Sequence, residues 1–407
     1  MRGVCRCVLA AALALFAAAC ITGEAPTSDT DLFEGVAARE IGPWMELPAG
    51  PWSLGAEPSL AVGGDDPRES HQFVKVTTAT RLTDGSLIVA DASVSTLRVY
   101  GPGGRFRSTL GARGEGPGEF RSPTDIMVGS GDSIRVWDQA LWRRSTFDDR
   151  GAFVRTERYD PTNPDIYPLQ GMWPMAVSLG RDDRVLVRLV EKAQKGESRR
   201  DNDLPAGFAL HHVRAGDVRL LGRVPDEETV EVEAPWGPTE VAPPLSAGPE
   251  MAFDGIGLTC LGHGSVAQIL CVDASGERRG LRWVDRPREV AHGDPALTRW
   301  RADAEAMYLE KLGRDQAQEM VSLVPTPGFQ PALRGLTIDA FGHLWIDVGS
   351  DGDVSKRRHI IVSADMEPLG VMTLPDVDVL EVGEDYVLAV AWTDSGTEQV
   401  VVLPLTR

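Results

Sequence analysis

The pattern that decides the fold is clearest in residues 81–111, RLTDGSLIVADASVSTLRVYGPGGRFRSTLG. Short apolar stretches rich in Val, Ile and Leu alternate there with Asp-Gly and Gly-Gly turns. This alternation is typical of antiparallel strands joined by tight turns. It returns in residues 125–156, DIMVGSGDSIRVWDQALWRRSTFDDRGAFVRT, where Asp138 lies 47 residues after Asp91. The chain is therefore built from repeats.

Weaker copies of the unit follow along the chain. They occupy residues 177–190 with 208–224, 258–284, 336–348 with 357–374, and 379–405. Each unit predicts a sheet of four antiparallel strands, here called a blade, which cannot cover both of its faces alone. Stacking the blades side by side in a closed ring buries those faces. The extended segment 52–64 precedes the first complete unit, and we expect it to complete the last blade and close the ring.

Two stretches carry a family resemblance. VADASVSTLRVYGPGGRF (89–106) and GARGEGPGEFRSPTDI (111–126) resemble the NHL-type repeats of bacterial six-bladed β-propeller lipoproteins. The resemblance implies an all-β fold, a six-bladed β-propeller of four-stranded antiparallel blades. The Asn that usually follows the strand-ending Asp is replaced around Val94 and Ser95. Peptide-amidating lyases and sugar lactonases share the architecture, but their catalytic residues have no counterparts here, and a fold alone does not give a function.

The first residues predict export and anchoring. Residues 1–19 contain two arginines and an Ala/Leu-rich stretch, as in a lipoprotein signal peptide, and Cys20 follows as the expected lipidation site. The alternative is an ordinary secretory signal. We expect a flexible tether over 20–42 and the six-bladed body over 43–407. The protein would then be lipid-anchored to the cell envelope, on the outer membrane or the periplasmic face, and would meet the membrane through its N-terminal lipid only.

Charge and cysteine content limit the remaining choices. The formal net charge of −19 argues against nucleic acid as a partner. Cys260 and Cys271 lie in a predicted hairpin. They either form a disulfide in the oxidising envelope or remain small buried apolar side chains.

Residues 285–332 join blades four and five and contain a predicted helical insertion over about 294–320. Asp294 is expected to cap the helix and Pro295 to begin it. The apolar side chains at helical spacing are Leu297, Trp300, Ala304, Met307, Tyr308 and Leu312. This helix either packs over the mouth of the channel as a partial lid or leans on the rim of blade four.

The long insertions all fall in loops that open on one face of the ring. That face also carries charged and aromatic residues that we predict as ligand contacts: Asp91, Arg113, Glu115, Glu119, Asp138, Trp142 and Arg143. Mixed charge with an aromatic side chain in a concave mouth is typical of ligand sites. The alternative for Glu115 and Glu119 is hydrogen bonding to loop amides, and for Arg143 a solvated surface charge.

The sequence contains neither a G-x-S-x-G elbow nor an H-E-x-x-H helix, and its histidines lack metal-ligand spacing. We therefore expect a non-catalytic binding or scaffold protein without cofactor, whose partner is a peptide, a glycan or another envelope protein. The alternative is a metal-dependent lactonase-like hydrolase or a lyase with carboxylates in the channel. Such an enzyme would use a divalent cation as a Lewis acid or to lower the pKa of bound water.

Overall fold

The computed structural model describes residues 36–159, 172–180, 184–191, 205–212, 217–234, 236–285, 288–291 and 293–407. The predicted signal peptide, Cys20 and most of the predicted tether lie outside these residues.

Three strands precede the first blade: β1 (Ala38–Pro43), β2 (Ser53–Leu54) and β3 (Leu60–Gly63). Blade one comprises β4 (Val76–Arg81), β5 (Leu87–Asp91), β6 (Thr96–Tyr100) and β7 (Phe106–Leu110). The short strands β8 (Ala112–Arg113) and β9 (Glu119–Phe120) pair in the connection that follows. Blade two comprises β10 (Pro123–Val128), β11 (Ile134–Asp138), β12 (Arg143–Phe147) and β13 (Phe153–Arg158).

Blade three comprises β14 (Met172–Leu179), β15 (Arg184–Glu191), β16 (Pro205–His212) and β17 (Asp217–Pro225). A hairpin of β18 (Val230–Ala234) and β19 (Gly237–Val241) separates it from the next blade. Blade four comprises β20 (Pro249–Phe253), β21 (Thr259–His263), β22 (Gln268–Val272) and β23 (Arg278–Val284).

Two helices follow blade four, α1 (Pro295–Leu312) and α2 (Arg314–Leu323). Blade five comprises β24 (Gly335–Ile338), β25 (Leu344–Asp347), β26 (Lys356–Val362) and β27 (Pro368–Pro375). Blade six comprises β28 (Asp378–Val382), β29 (Tyr386–Trp392) and β30 (Glu398–Thr406), completed by β3. Three short 3-10 helices occur at Trp44–Glu46, Glu69–His71 and Ser130–Asp132.

The repeat seen in the sequence corresponds to equivalent positions of the blades. Gly104 and Gly151, also 47 residues apart, occupy the turn between the third and fourth strands, with φ angles of 75° and 79°. Only glycine adopts this left-handed conformation without strain. All five residues of β5 are buried, because both faces of the strand pack against neighbouring blades.

The ring closes with strands from both ends of the chain. β3 pairs antiparallel with β30, in the register Leu60↔Val402 to Gly63↔Gln399, and β2 pairs with the end of the same strand. The prediction that 52–64 completes the last blade is confirmed. The innermost strand of blade six also contacts that of blade one. The two chain ends therefore hold each other in place.

The folded body begins earlier than the sequence suggested. β1 pairs parallel with β23 and adds a fifth strand to blade four, so residues from Ala38 onward belong to the body and not to the tether expected over 20–42. The polar residues Arg39 and Glu40 give this segment the composition of a linker. β1 satisfies the hydrogen-bonding groups of the edge strand β23, and Val36 and Ala38 pack against the apolar cluster between blades three and four.

The insertion between blades four and five contains two helices where one was expected over 294–320. Gly313, with a φ of 84°, separates them. Asp294 caps α1 as predicted, accepting a hydrogen bond of 2.9 Å from the backbone N–H of Ala296. The buried side chains pack against the β18–β19 hairpin, but Met307 from the predicted apolar stripe is 51% exposed.

The contacts of α1 reach beyond blade five to blade six. Arg299 forms an ion pair of 2.9 Å with Asp376 between blades five and six, and its guanidinium lies 4.0 Å from the ring centroid of Trp392 in blade six. α1 thus spans from the junction of blades four and five to the top of blade six. We call this end of the ring, which carries the connections between blades, the upper face. The end that carries the turns between first and second strands is the lower face.

Candidate ligand site in the channel

Asp91 and Asp138, both predicted as ligand contacts, end the second strands of blades one and two and are fully buried. The Asp138 carboxylate accepts backbone hydrogen bonds of 2.7, 3.2 and 3.1 Å from Arg121, Ser122 and Leu141. Asp91 accepts equivalent bonds of 3.3, 3.4 and 2.9 Å from Val74, Lys75 and Ser93. The strand-ending Asp of the repeat therefore fixes the chain that enters each of these two blades.

Arg143 holds the connection between blades one and two from beneath. Its guanidinium is buried and donates to the backbone carbonyls of Glu115 (2.7 Å), Gly116 (2.9 Å) and Glu119 (2.6 Å). Arginine suits this place because its planar group presents several donors at fixed angles. The alternative of a solvated surface charge is wrong, since the side chain is buried in the loop.

Three of the other four predicted contacts lie in the same connection, residues 111–122. Glu119 accepts a hydrogen bond of 2.7 Å from the backbone N–H of Gly116, which is the predicted alternative to ligand contact. Glu115 forms an exposed ion pair of 2.9 Å with Arg121, and Arg113 is exposed. The fourth, Trp142, packs edge-on against Trp137, with ring centroids 5.7 Å apart. Five of the seven predicted residues thus lie in this connection or hold it, and ligand contact by all seven stays a prediction.

Blade four contains a covalent link. Cys260 and Cys271 face each other in register on β21 and β22, and their sulfur atoms form a disulfide. The sequence left open whether Cys260 and Cys271 form a disulfide or remain buried thiols, and in the structure they form the disulfide.

Buried charges at the upper end of the channel neutralise one another. Arg357 forms ion pairs with Asp347 (3.3 Å), Asp376 (2.7 Å) and Asp378 (2.7 Å). Burial by itself would lower the pKa of Arg357, but the three carboxylates around it raise the pKa above its usual value. Arg357 is therefore firmly charged and ties the innermost strand of blade six to blade five.

The lower face opens into a cavity of about 860 Å³. Its wall is formed by innermost strands of the blades and by the turns that follow them. The polar side chains in this wall are Thr78, Thr80, Asp125, Ser178, Thr337, Glu381 and Tyr386, and the larger apolar ones are Ile126, Met127, Met251, Phe253, Leu336 and Leu380. A volume of this size accommodates a small organic molecule or one end of a larger one.

Two carboxyl groups project from the wall of this cavity. Asp125 accepts backbone hydrogen bonds from Leu179 (2.6 Å) and Ile126 (3.0 Å), and burial raises its pKa to about 6. Glu381 accepts hydrogen bonds from the Tyr386 hydroxyl and from Thr80 Oγ1 at 2.9 Å. Burial, and to a smaller extent the negative charge of Glu381, raises the pKa of Tyr386 far above its usual value.

Comparison with known proteins agrees with this geometry. Residues 69–177 match the model of a family described as a 6-bladed beta-propeller. The chain is a six-bladed β-propeller. No curated protein matches its sequence.

Solved structures of other propellers cover nearly the whole of this one. The chain is similar to a Bacteroides fragilis protein assigned as exported, with 10% identity, 90% of this chain and 99% of that chain covered, and a TM-score of 0.46. A member of the duf4221 family from Bacteroides vulgatus shares 11% identity, with 88% of this chain and 99% of that chain covered and a TM-score of 0.49. Virginiamycin B lyase from Staphylococcus aureus shares 11% identity, with 88% of this chain and 99% of that chain covered and a TM-score of 0.40. These likenesses concern the fold alone.

The mouth of the propeller cavity is strongly acidic. Its lining includes five further carboxylates, from Asp132, Asp254, Asp339, Glu384 and Asp385. Among the described residues, the cationic side chain of the lining is Arg81. Arg81 is already engaged, because it lies 3.4 Å from Asp385 and stacks 4.6 Å above the Tyr386 ring.

The sequence carried a signal for this acidic mouth. The first turns of the described blades contain an acidic residue in TDGS (83–86), GSGDS (129–133), DGIG (254–257), DAFG (339–342) and GEDY (383–386). The corresponding RDD (181–183) lies outside the described residues. Aspartate also favours tight turns, which is a sufficient local reason for it.

In the described part of the chain, no three His, Cys, Asp or Glu side chains converge as ligands of a metal ion. The described residues therefore provide no such ligand set for the divalent cation of the alternative prediction, and no reaction step through a metal is derived. None of the described helices is long and apolar enough to cross a membrane.

Proposed function

We propose that this propeller is an exported, lipid-anchored binding protein of the cell envelope that holds its ligand, without transforming it, in the cavity on the lower face. The observation that carries the proposal is the cavity itself, about 860 Å³ with mixed polar and apolar walls. Concave sites with a few polar groups on an apolar surface are typical of ligand pockets. A peptide end, a glycan unit or a side chain of an envelope protein fits this description.

Export and anchoring rest on residues 1–20. The apolar stretch before Cys20 is too short to span a bilayer, and small residues precede the cysteine. We expect Cys20→Ala to release the protein from the membrane fraction on cell fractionation. Cys7 lies in the predicted signal peptide, so Cys7→Ala is the control and should leave the protein in the membrane fraction. Retention of the Cys20→Ala protein would contradict the anchor.

The position of the site can be tested by filling the cavity. Thr337 lies in its wall on β24, and Thr337→Trp would occupy much of the space. Thr109→Trp makes the same substitution at an exposed position of the outer strand β7. We would incubate each purified protein with a small-molecule extract of the cell envelope and measure bound species by native mass spectrometry.

We expect one species to remain bound, unchanged in mass, to the wild type and the Thr109→Trp variant but not to the Thr337→Trp variant. Equal binding by all three proteins would place the site outside the cavity. Loss of the species with time, with a product appearing in solution, would contradict the non-catalytic assignment.

The alternative function, an enzyme with its site in the channel, has one observation in its favour. A carboxyl group with a pKa of about 6, as at Asp125, can exchange a proton near neutral pH. Metal dependence is tested with chelator-washed protein to which calcium, zinc or manganese is returned. A stoichiometric, tightly held ion would favour the hydrolase, whereas an unchanged melting temperature would favour the binding protein.

A further inference from the structure

We infer that the cavity on the lower face selects an organic cation, a molecule with an ammonium or guanidinium group on an apolar body. The inference rests on the proposed binding function and names the chemical class of its ligand.

The two carboxylates inside the cavity have no counter-charge among the described residues. Asp125 and Glu381 receive hydrogen bonds only from neutral donors, two backbone N–H groups in one case and two hydroxyls in the other. No cationic side chain of the described residues forms an ion pair with either carboxylate. Both residues are partly buried, and charges withdrawn from water in proteins are normally paired, as Arg357 is at the upper end of the same channel. A ligand cation would supply the missing partner.

Charges at the entrance act on a ligand before it reaches the inner carboxylates. Of the five carboxylates of the mouth, Asp339 is paired with Arg407 at 2.9 Å, and Asp385 holds Arg81, the cation among the described lining residues. The mouth therefore keeps an excess of carboxylates over cations. A cleft lined by charges of one sign focuses the potential and concentrates ligands of the opposite sign. The net charge of −19 on the whole chain acts in the same direction. An anionic ligand would be repelled at the entrance and again at Asp125 and Glu381.

The rest of the cavity wall is partly apolar. Met127, Met251 and Phe253 contribute apolar surface, and methionine side chains adapt to ligands of varied shape. A small inorganic ion would leave this surface exposed to water. A molecule with one charged end and an apolar body would cover it and still reach the carboxylates. The charged end can belong to a free amine or to a basic side chain of a peptide.

The test uses three probes with the same body and different charge: phenylbutylamine, phenylbutanol and phenylbutyrate. Their binding to the purified mature protein is measured by isothermal titration calorimetry. We expect the amine to bind most tightly and the carboxylate not to bind. Glu381→Gln and Asp125→Asn should each weaken binding of the amine by about tenfold or more, because each removes a charge-assisted contact. Binding of the alcohol should change little.

Asp149→Asn is the matched control, because Asp149 is an exposed carboxylate in a turn of the lower face that does not line the cavity. It should leave the affinity for the amine unchanged. An equal loss of affinity for the amine in all three variants would show that binding depends on the general charge of the lower face. That result would overturn a specific role for Asp125 and Glu381. A blocked peptide containing one arginine, used as a competitor, distinguishes the two sources: displacement of the amine at lower concentration would indicate a basic side chain as ligand.

Failure of this inference can be told apart from failure of the proposed function. Equal or tighter binding of phenylbutanol or phenylbutyrate would overturn selection of a cation but leave a ligand-binding cavity in place. Absence of binding by all three probes would also overturn the inference. The proposed binding site in the cavity fails if Thr337→Trp has no effect on the species retained from the envelope extract, whatever the result with the three probes.

Discussion

At the upper end of the channel Arg357 is surrounded by three carboxylates, whereas at the lower end Asp125 and Glu381 have only neutral donors. At the upper end α1 also reaches blade six through Arg299, and α1 and α2 pack on the β18–β19 hairpin. The lower end is open and has short turns. The comparison teaches that long insertions and charged residues do not by themselves indicate a site. What matters is whether the charges are already satisfied within the fold.

The largest expected effect comes from breaking the upper network. Arg357→Met removes the cation shared by Asp347, Asp376 and Asp378, of which Asp376 keeps its ion pair with Arg299. We expect a loss of about 3–5 kcal/mol in the free energy of unfolding. Urea denaturation followed by tryptophan fluorescence measures it. The neighbour Arg358 forms a more exposed ion pair with Asp351, so Arg358→Met should cost less than about 1 kcal/mol. Similar losses for both variants would contradict the role assigned to the buried network.

A smaller effect is expected at the connection between blades one and two. Arg143→Met removes three hydrogen bonds to loop carbonyls and should cost about 2–3 kcal/mol. Hydrogen exchange should speed up within 111–122. The exposed Arg113 provides the control, since Arg113→Met should change neither quantity. If Arg143→Met were as stable as the wild type, the guanidinium would be available to a ligand, as the sequence predicted.

The smallest effect concerns the pH dependence of stability at the lower end. Asp125 has a pKa of about 6 in the folded chain, above its value when unfolded. Between about pH 4 and pH 6 the unfolded chain therefore releases a proton that the folded chain keeps, and stability falls as the pH rises, by on the order of 2 kcal/mol.

Asp125→Asn removes this contribution. Glu250 and Glu398, whose pKa values burial also raises, titrate in both proteins, so the difference between the two stability profiles isolates Asp125. We expect the variant to lose less stability than the wild type between pH 4 and pH 6, as measured by urea denaturation at each pH. Parallel profiles would show that the carboxyl is well solvated and would weaken the case for an uncompensated charge.

Part of the molecule could be predicted because the information is local. The repeat and its turn glycines give the blades, and the leftover extended segment 52–64 gives the closure with β30. Asp294 and Pro295 were sufficient to locate the start of α1. By contrast, β1 was missed because its polar face resembles a linker, and Gly313 was not recognised as a helix break because glycine within a helical pattern is often tolerated.

The predicted ligand contacts were chosen for their pattern in the sequence. Asp91 and Asp138 are strongly patterned because each caps an incoming chain, and a pattern in the sequence does not reveal whether a carboxylate is satisfied by backbone amides or left for a ligand. Asp125 and Glu381 come from different blades and have no pattern in common. They line the same cavity only because the ring closes.

By itself the sequence determined the repeat, the number of blades and the acidic first turns, because these depend on residues close together along the chain. Only the tertiary structure decided which carboxylates are neutralised and which end of the channel stays open. Charge compensation and cavity volume arise between residues far apart in sequence, such as Arg299 with Asp376 above and Thr80 with Glu381 below.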